Sequence, residues 1–204
     1  MARGILNVTE ATLIYGLVLA GGKSRRMGSD KALLTRDGKT QLARTVSLLE
    51  RHVECVFVST RSEQAADQER QKFSQIVDQY DDMGPIAGVL SAMDEHPDVA
   101  WLVVACDLPN IDDATISGLI DRHSGEHPFT AYTSSYDGLP EPLCAIYGIG
   151  ARQIVDSFVA EEINCPRKML IRSDTELIAQ PNPQALDNIN TPEDLANSSI
   201  RIAG

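Results

Sequence analysis

Residues 17–34 read L-V-L-A-G-G-K-S-R-R-M-G-S-D-K-A-L-L, and the rest of the chain is organised around this run. Leu13 to Ala20 is short, continuous and apolar, which predicts a buried strand. It empties into Gly21-Gly22, where the missing Cβ atoms let the backbone turn sharply and approach a ligand closely. Lys23, Arg25, Arg26 and Lys31 then place four positive charges on one loop, in a chain whose formal net charge is −11. A strand that ends in a glycine turn with clustered cations is the outline of a phosphate site. The alternative, four merely solvated surface charges, gives no reason for their clustering in an acidic chain.

Two common phosphate loops are excluded by spacing. A P-loop needs G-x-x-x-x-G-K-[ST], and Gly38-Lys39-Thr40 has no glycine five places earlier; the dinucleotide fingerprint G-x-G-x-x-G is missing as well.

Outward from the loop, strand and helix patterns alternate. Asp37-Gly38 is a turn dipeptide. Leu42, Val46 and Leu49 mark one helix face, with Thr40 as its N-cap. Val53–Thr60 reads as a second buried strand, 61–74 as an exposed polar connection, and 75–78 as a very short third strand. After the acidic loop DQYDD comes MGPIAGVLSAM, a helix carrying Ile86, Val89, Leu90 and Met93. Val99–Cys106 is the most apolar strand and stops abruptly at Asp107-Leu-Pro109. A helix over about 113–123 follows, capped by Asp112 or Asp113. Strands apolar on both faces, separated by helices, predict an α/β fold: a Rossmann-like three-layer sandwich, its mostly parallel sheet covered by helices on both faces.

The second half changes character, with strands at 129–135 and 143–147, helices from about Ala151 and in CPRKMLI, and an edge strand at 176–179. Residues 1–12 read as a poorly ordered leader and 13–204 as a single domain whose halves, 13–125 and 126–204, differ in pattern. The acidic balance argues against nucleic acid as a partner, and no apolar run reaches the roughly 18–20 residues of a membrane span. Four scattered cysteines without a C-x-x-C pair argue against zinc and for a reducing, cytoplasmic compartment.

In a parallel sheet, ligands sit beyond the carboxyl ends of the strands. The residues just past those ends, Gly21–Arg26, Ser59–Arg61, Asp78 and Asp107, are therefore the candidate site. Asp107 directly follows an apolar strand and suits a hard divalent cation, which one or two carboxylates plus substrate phosphates commonly hold. An aspartate there can also simply cap the turn ahead of Pro109. From spacing alone, Asp78 is equally a site carboxylate or a loop residue.

The string L-A-G-G-K-S-R-R-M-G-S-D-K resembles the opening motif of nucleotidyltransferases that activate small phosphorylated molecules, and more narrowly of the molybdenum cofactor guanylyltransferases. The likeness runs from Leu17 to about Ala196, and implies that 13–125 is the nucleotide-binding half and 126–204 the acceptor-binding half. It implies that Leu19, Ala20, Gly21 and Gly22 form the nucleotide-contacting turn, that Arg26 and Lys31 bind phosphate, that Asp78 helps bind GTP, and that Asp107 in CDLP holds Mg²⁺. MGPIAG resembles the family's helix start. NINTPEDL resembles the family's close, whose asparagines, here Asn188 and Asn190, are associated with the molybdopterin side. Where the family can have a nucleotide-touching asparagine, this chain has Ser59, shorter and with one donor fewer. LAGG, in place of LAAG, looks guanylyl-like and not cytidylyl-like.

The resemblance implies an enzyme of nucleotidyltransferase fold that joins GMP from GTP to molybdenum-bearing molybdopterin, with Mg²⁺ as cofactor and a molybdoenzyme or cofactor carrier as protein partner. The rival readings are a transferase of the same fold using CTP or a sugar phosphate, and a non-catalytic nucleotide- or molybdopterin-binding protein.

Overall fold

The computed structural model describes residues 12–21 and 30–188. Gly22, Arg26 and Asn190, the leader up to residue 11 and the TPEDL close lie outside the described residues. The strands are β1 (Ile14–Leu19), β2 (Thr35–Arg36), β3 (Lys39–Thr40), β4 (Val56–Thr60), β5 (Gln75–Val77), β6 (Ala100–Ala105), β7 (Phe129–Thr133), β8 (Pro140–Tyr147) and β9 (Thr175–Ala179). The α-helices are α1 (Gln41–Leu49), α2 (Pro85–Glu95), α3 (Asp113–Arg122), α4 (Ala151–Ala160) and α5 (Pro166–Ile171).

Seven strands form one sheet in the order β5-β4-β1-β6-β8-β7-β9. Only β8, among the described strands of this sheet, runs against its neighbours. The mostly parallel sandwich read from the sequence is thus the observed architecture, and β9 is the edge strand expected near 176–179. All six residues of β6 are buried, as its central position demands.

Period-2 alternation divides the core between the two faces. Leu102 and Val104 pack with Leu42, Val46 and Leu49 of α1 and with Ile116 and Leu119 of α3. Trp101 and Val103 face the other way, toward Ile86, Val89 and Leu90 of α2, Val155 and Phe158 of α4, and Met169 and Leu170 of α5. Thr40 caps α1 by accepting from the Ala43 amide at 3.0 Å, and Asp112 caps α3 by accepting from the Thr115 amide at 2.9 Å. No helix of the described residues is long and apolar enough to cross a membrane.

Two expectations are corrected. The second strand starts at Val56 and not at Val53, because the chain from Leu49 to Val53 still makes turn hydrogen bonds that close α1. The connection 61–74 is not simply exposed. It forms two 3-10 turns, Ser62–Gln64 and Arg70–Lys72, and the second carries Arg70, which is 1% exposed.

Candidate active site

Strand register gathers the site. Leu19 pairs with Ser59 on one side and with Ala105 on the other, so β1, β4 and β6 end level with one another. Thr60 pairs with Val77, which places Arg61 beside Asp78. Residues remote in sequence therefore meet at one carboxyl edge, around a cleft of about 310 Å³ among the described residues. That volume lies at the small end of ligand pockets. Leu19, Ala20, Gly21, Lys31, Ser59, Asp78 and Asp107 all line it. Asn188 is exposed and does not.

On one wall, Lys31 Nζ lies 3.1 Å from Asp107 Oδ2, with both side chains mostly buried. Lys31 belongs to a 3-10 turn, Lys31–Leu33, whose N-cap Asp30 accepts from the Ala32 amide at 3.0 Å. Asp107 follows β6 and the buried Cys106. Burial, with the Asp107 charge behind it, pushes the Cys106 thiol up to about 12, so it holds its proton at neutral pH and supplies no nucleophile.

On the other wall, the Ser59 hydroxyl donates to Asp78 Oδ1 at 2.7 Å. Burial raises the Asp78 carboxyl above the ordinary carboxylate range, against the Ser59 hydrogen bond and the nearby Arg61 charge, which lower it. Its second oxygen faces Gly21: a Cβ there would sit 3.3 Å from Asp78 Oδ2. Helix α2 approaches so closely here that a Cβ on Gly88 would lie 2.2 Å from Ser59 Oγ. The second glycine of G-P-I-A-G is thus explained by the contact between α2 and the end of β4. Ser59 is 2% exposed and aims its donor at Asp78, so it orients the carboxylate.

The sequence reading omitted Asp30, Gly84, Pro85 and Leu143 from this cleft. Asp30 could have been found, since it is the acidic residue immediately before Lys31. Leu143 had no local signal, because it reaches the edge only through the antiparallel pairing of β8 with β6.

The donor set is compatible with a hard divalent cation. Among the described residues, no three His, Cys, Asp or Glu side chains cluster as a ready-made metal cage. Asp107 instead offers one partly exposed carboxylate to the cleft. One carboxylate completed by substrate oxygens and water is the way Mg²⁺ is usually held.

A small cleft at the carboxyl edge of a mostly parallel sheet, lined by Gly21, Lys31 and three aspartates (Asp30, Asp78 and Asp107), lies where a nucleotidyltransferase fold holds its ligand. A solved structure from Archaeoglobus fulgidus, described as molybdopterin-guanine dinucleotide biosynthesis protein A, shares the fold. Its TM-score is 0.74 at 22% identity, over 90% of this chain and 95% of that one. The chain belongs to the MobA-like NTP transferase domain family, whose model matches residues 16–175, and it is a nucleotidyltransferase. A Synechocystis sp. protein, "Molybdenum cofactor biosynthesis bifunctional protein", is 38% identical over 183 residues, which are 90% of this chain and 53% of that protein. The chain thus spans about half the length of that relative. A Methanothermobacter thermautotrophicus protein, "Probable molybdenum cofactor guanylyltransferase", is 30% identical over 87% of this chain and 95% of its own length.

Proposed function

We propose that this chain transfers GMP from GTP to molybdopterin carrying molybdenum, releasing pyrophosphate and forming a guanine dinucleotide cofactor. The observation that carries the reading is the Lys31–Asp107 pair, one cation and one carboxylate 3.1 Å apart in the cleft that Gly21 also lines. The names of the relatives supply the acceptor and the base.

The terminal phosphate oxygen of the pterin attacks the α-phosphorus of GTP. A new P–O bond forms, the bond from the α-phosphorus to the α,β-bridging oxygen breaks, and pyrophosphate leaves with that electron pair. Such a transfer needs positioning and charge stabilisation more than covalent help. Lys31 donates to the triphosphate, and Arg26 does the same from the basic loop. Leu19, Ala20, Gly21 and Gly22 let the nucleotide lie against backbone, and Asp78, oriented by Ser59, helps bind it. Asp107 would hold Mg²⁺, which when bound neutralises charge on the phosphate oxygens. Asn188 and Asn190 are assigned to the acceptor half, on the molybdopterin side.

The Lys31–Asp107 pair also keeps the site poised. Each group neutralises the other until a nucleotide brings phosphate for the lysine and a cation for the aspartate. Incubating the protein with molybdopterin and either GTP or CTP, then identifying the dinucleotide by mass, tests the proposal. A guanine dinucleotide is expected; a cytosine adduct, or no adduct at all, would overturn it.

A further inference from the structure

The turn that leads into β5 carries a charged group that cannot reach any substrate. Arg70 is 1% exposed. Its Nη2 donates to the Ala20 carbonyl at 2.8 Å and to Asp30 Oδ2 at 2.7 Å, and its Nη1 lies 3.4 Å from Asp67 Oδ1. Ala20 immediately follows β1, and Asp30 immediately precedes Lys31. One planar guanidinium thus ties together the two chain segments that flank the basic loop.

The link continues to the cleft. Asp30 uses its other oxygen to cap the 3-10 turn that presents Lys31. Next to Arg70, Glu69 accepts from Thr40 Oγ1 at 2.7 Å, and so anchors the far end of the same segment at the start of α1. The opposite side of that segment is fastened to the loop after β6. Gln41 Nε2 donates to the Leu108 carbonyl at 3.1 Å, and Arg36 Nη1 lies 3.5 Å from the Pro109 carbonyl. The Lys31–Asp107 pair is therefore held between two anchors, and Arg70 is the buried centre of one.

We propose that Arg70 is a positioning residue for the transfer: it fixes Asp30 and, through it, the turn that aims Lys31 at the nucleotide. The inference rests on the phosphate-binding role proposed for Lys31. A guanidinium suits the task because its rigid plane fixes the two N–H bonds of Nη2 on Ala20 and Asp30 and turns Nη1 toward Asp67, whereas an ammonium is a point charge on a flexible stem.

A double-mutant cycle separates this from simple structural support. Arg70→Lys keeps the charge and loses the fork. In otherwise wild-type protein it should lower kcat/KM for GTP by about tenfold, less than the roughly 10²-fold that a 1 Å misplacement can cost. In the Lys31→Ala background the same change should cost no more than about twofold, because the residue it positions is gone. Hydrogen exchange across residues 31–34, measured without nucleotide, should quicken in Arg70→Lys. Asp30→Asn breaks the same link from its partly exposed side, and should show the same coupling even if the Arg70 variant folds poorly. Equal fold losses in both Lys31 backgrounds, with exchange at 31–34 unchanged, overturn the inference. Wild-type protein that is inert toward GTP overturns the proposed function instead, and the exchange measurement then decides the positioning role by itself.

Discussion

Lys31 and Asp107 are separated by 76 positions in the chain and by 3.1 Å in space. The lysine comes from a short turn after the basic loop and the aspartate from the end of the most buried strand. Lys31→Ala removes a charged donor from the proposed triphosphate site. A hydrogen bond to a charged group contributes about 1.5–3 kcal/mol, so KM for GTP should rise roughly 10- to 100-fold. Steady-state kinetics check this, and unchanged constants would remove Lys31 from the site.

Asp78 gives a prediction in pH. Burial raises its folded-state pKa, so the native state favours the protonated acid and is penalised once the group ionises. The variant Asp78→Asn keeps an acceptor for the Ser59 hydroxyl and never ionises. It should be more stable than wild type at pH 7. That gain should shrink as pH falls through the raised pKa, and be gone below the ordinary carboxylate value of about 4. Thermal melts at several pH values test it. A variant less stable at pH 7, or a gain that grows toward acid, would contradict the account. GTP binding should weaken in the same variant, the pattern of a residue kept for function at a cost in stability.

Gly88 gives a prediction about packing. An alanine methyl there would sit 2.2 Å from Ser59 Oγ and 2.9 Å from Ser59 Cβ. Relief requires α2 to move off the end of β4, which should cost about 1–3 kcal/mol and displace the Ser59–Asp78 pair. Denaturant unfolding should register the loss, together with a raised KM for GTP. Adding Ser59→Ala removes the Oγ clash but not the Cβ one, and should recover only part of the stability. A Gly88→Ala protein with wild-type melting and kinetics would mean that the close approach is not needed.

Much of the candidate cleft was legible because its local signals agree with its global setting. The apolar run ending in Gly21 and the run ending in Asp107 each announce a buried strand with a carboxyl edge, and those edges are where such folds bind ligands. Register was not legible. Nothing local says that Leu19 stands between Ser59 and Ala105, yet that pairing brings Gly21, Asp78 and Asp107 together. Arg70 was misread for a related reason. Its neighbours Gln68, Glu69, Gln71 and Lys72 are polar, and the partners that bury it, Ala20 and Asp30, are 50 and 40 residues away. The antiparallel insertion of β8 is likewise a long-range pairing with no signature in a short window.

The central claim is that Asp107 acts on a cation-bound triphosphate at the end of β6. Asp107→Asn conserves volume and leaves β6 untouched, so the fold should persist. The amide offers a neutral oxygen where the carboxylate offered a full charge. Charge stabilisation by a bound metal is worth several kcal/mol, so turnover should fall by about 10²-fold or more. Nucleotide binding in the presence of chelator should change far less, and removing a negative charge near the phosphates favours slight tightening. The deciding measurement is pyrophosphate release from GTP against Mg²⁺ concentration, for wild type and Asp107→Asn side by side. The account predicts a large loss of rate in the variant, with chelator-condition GTP affinity retained. A variant that keeps full activity at ordinary Mg²⁺ would return Asp107 to the role of a turn cap ahead of Pro109.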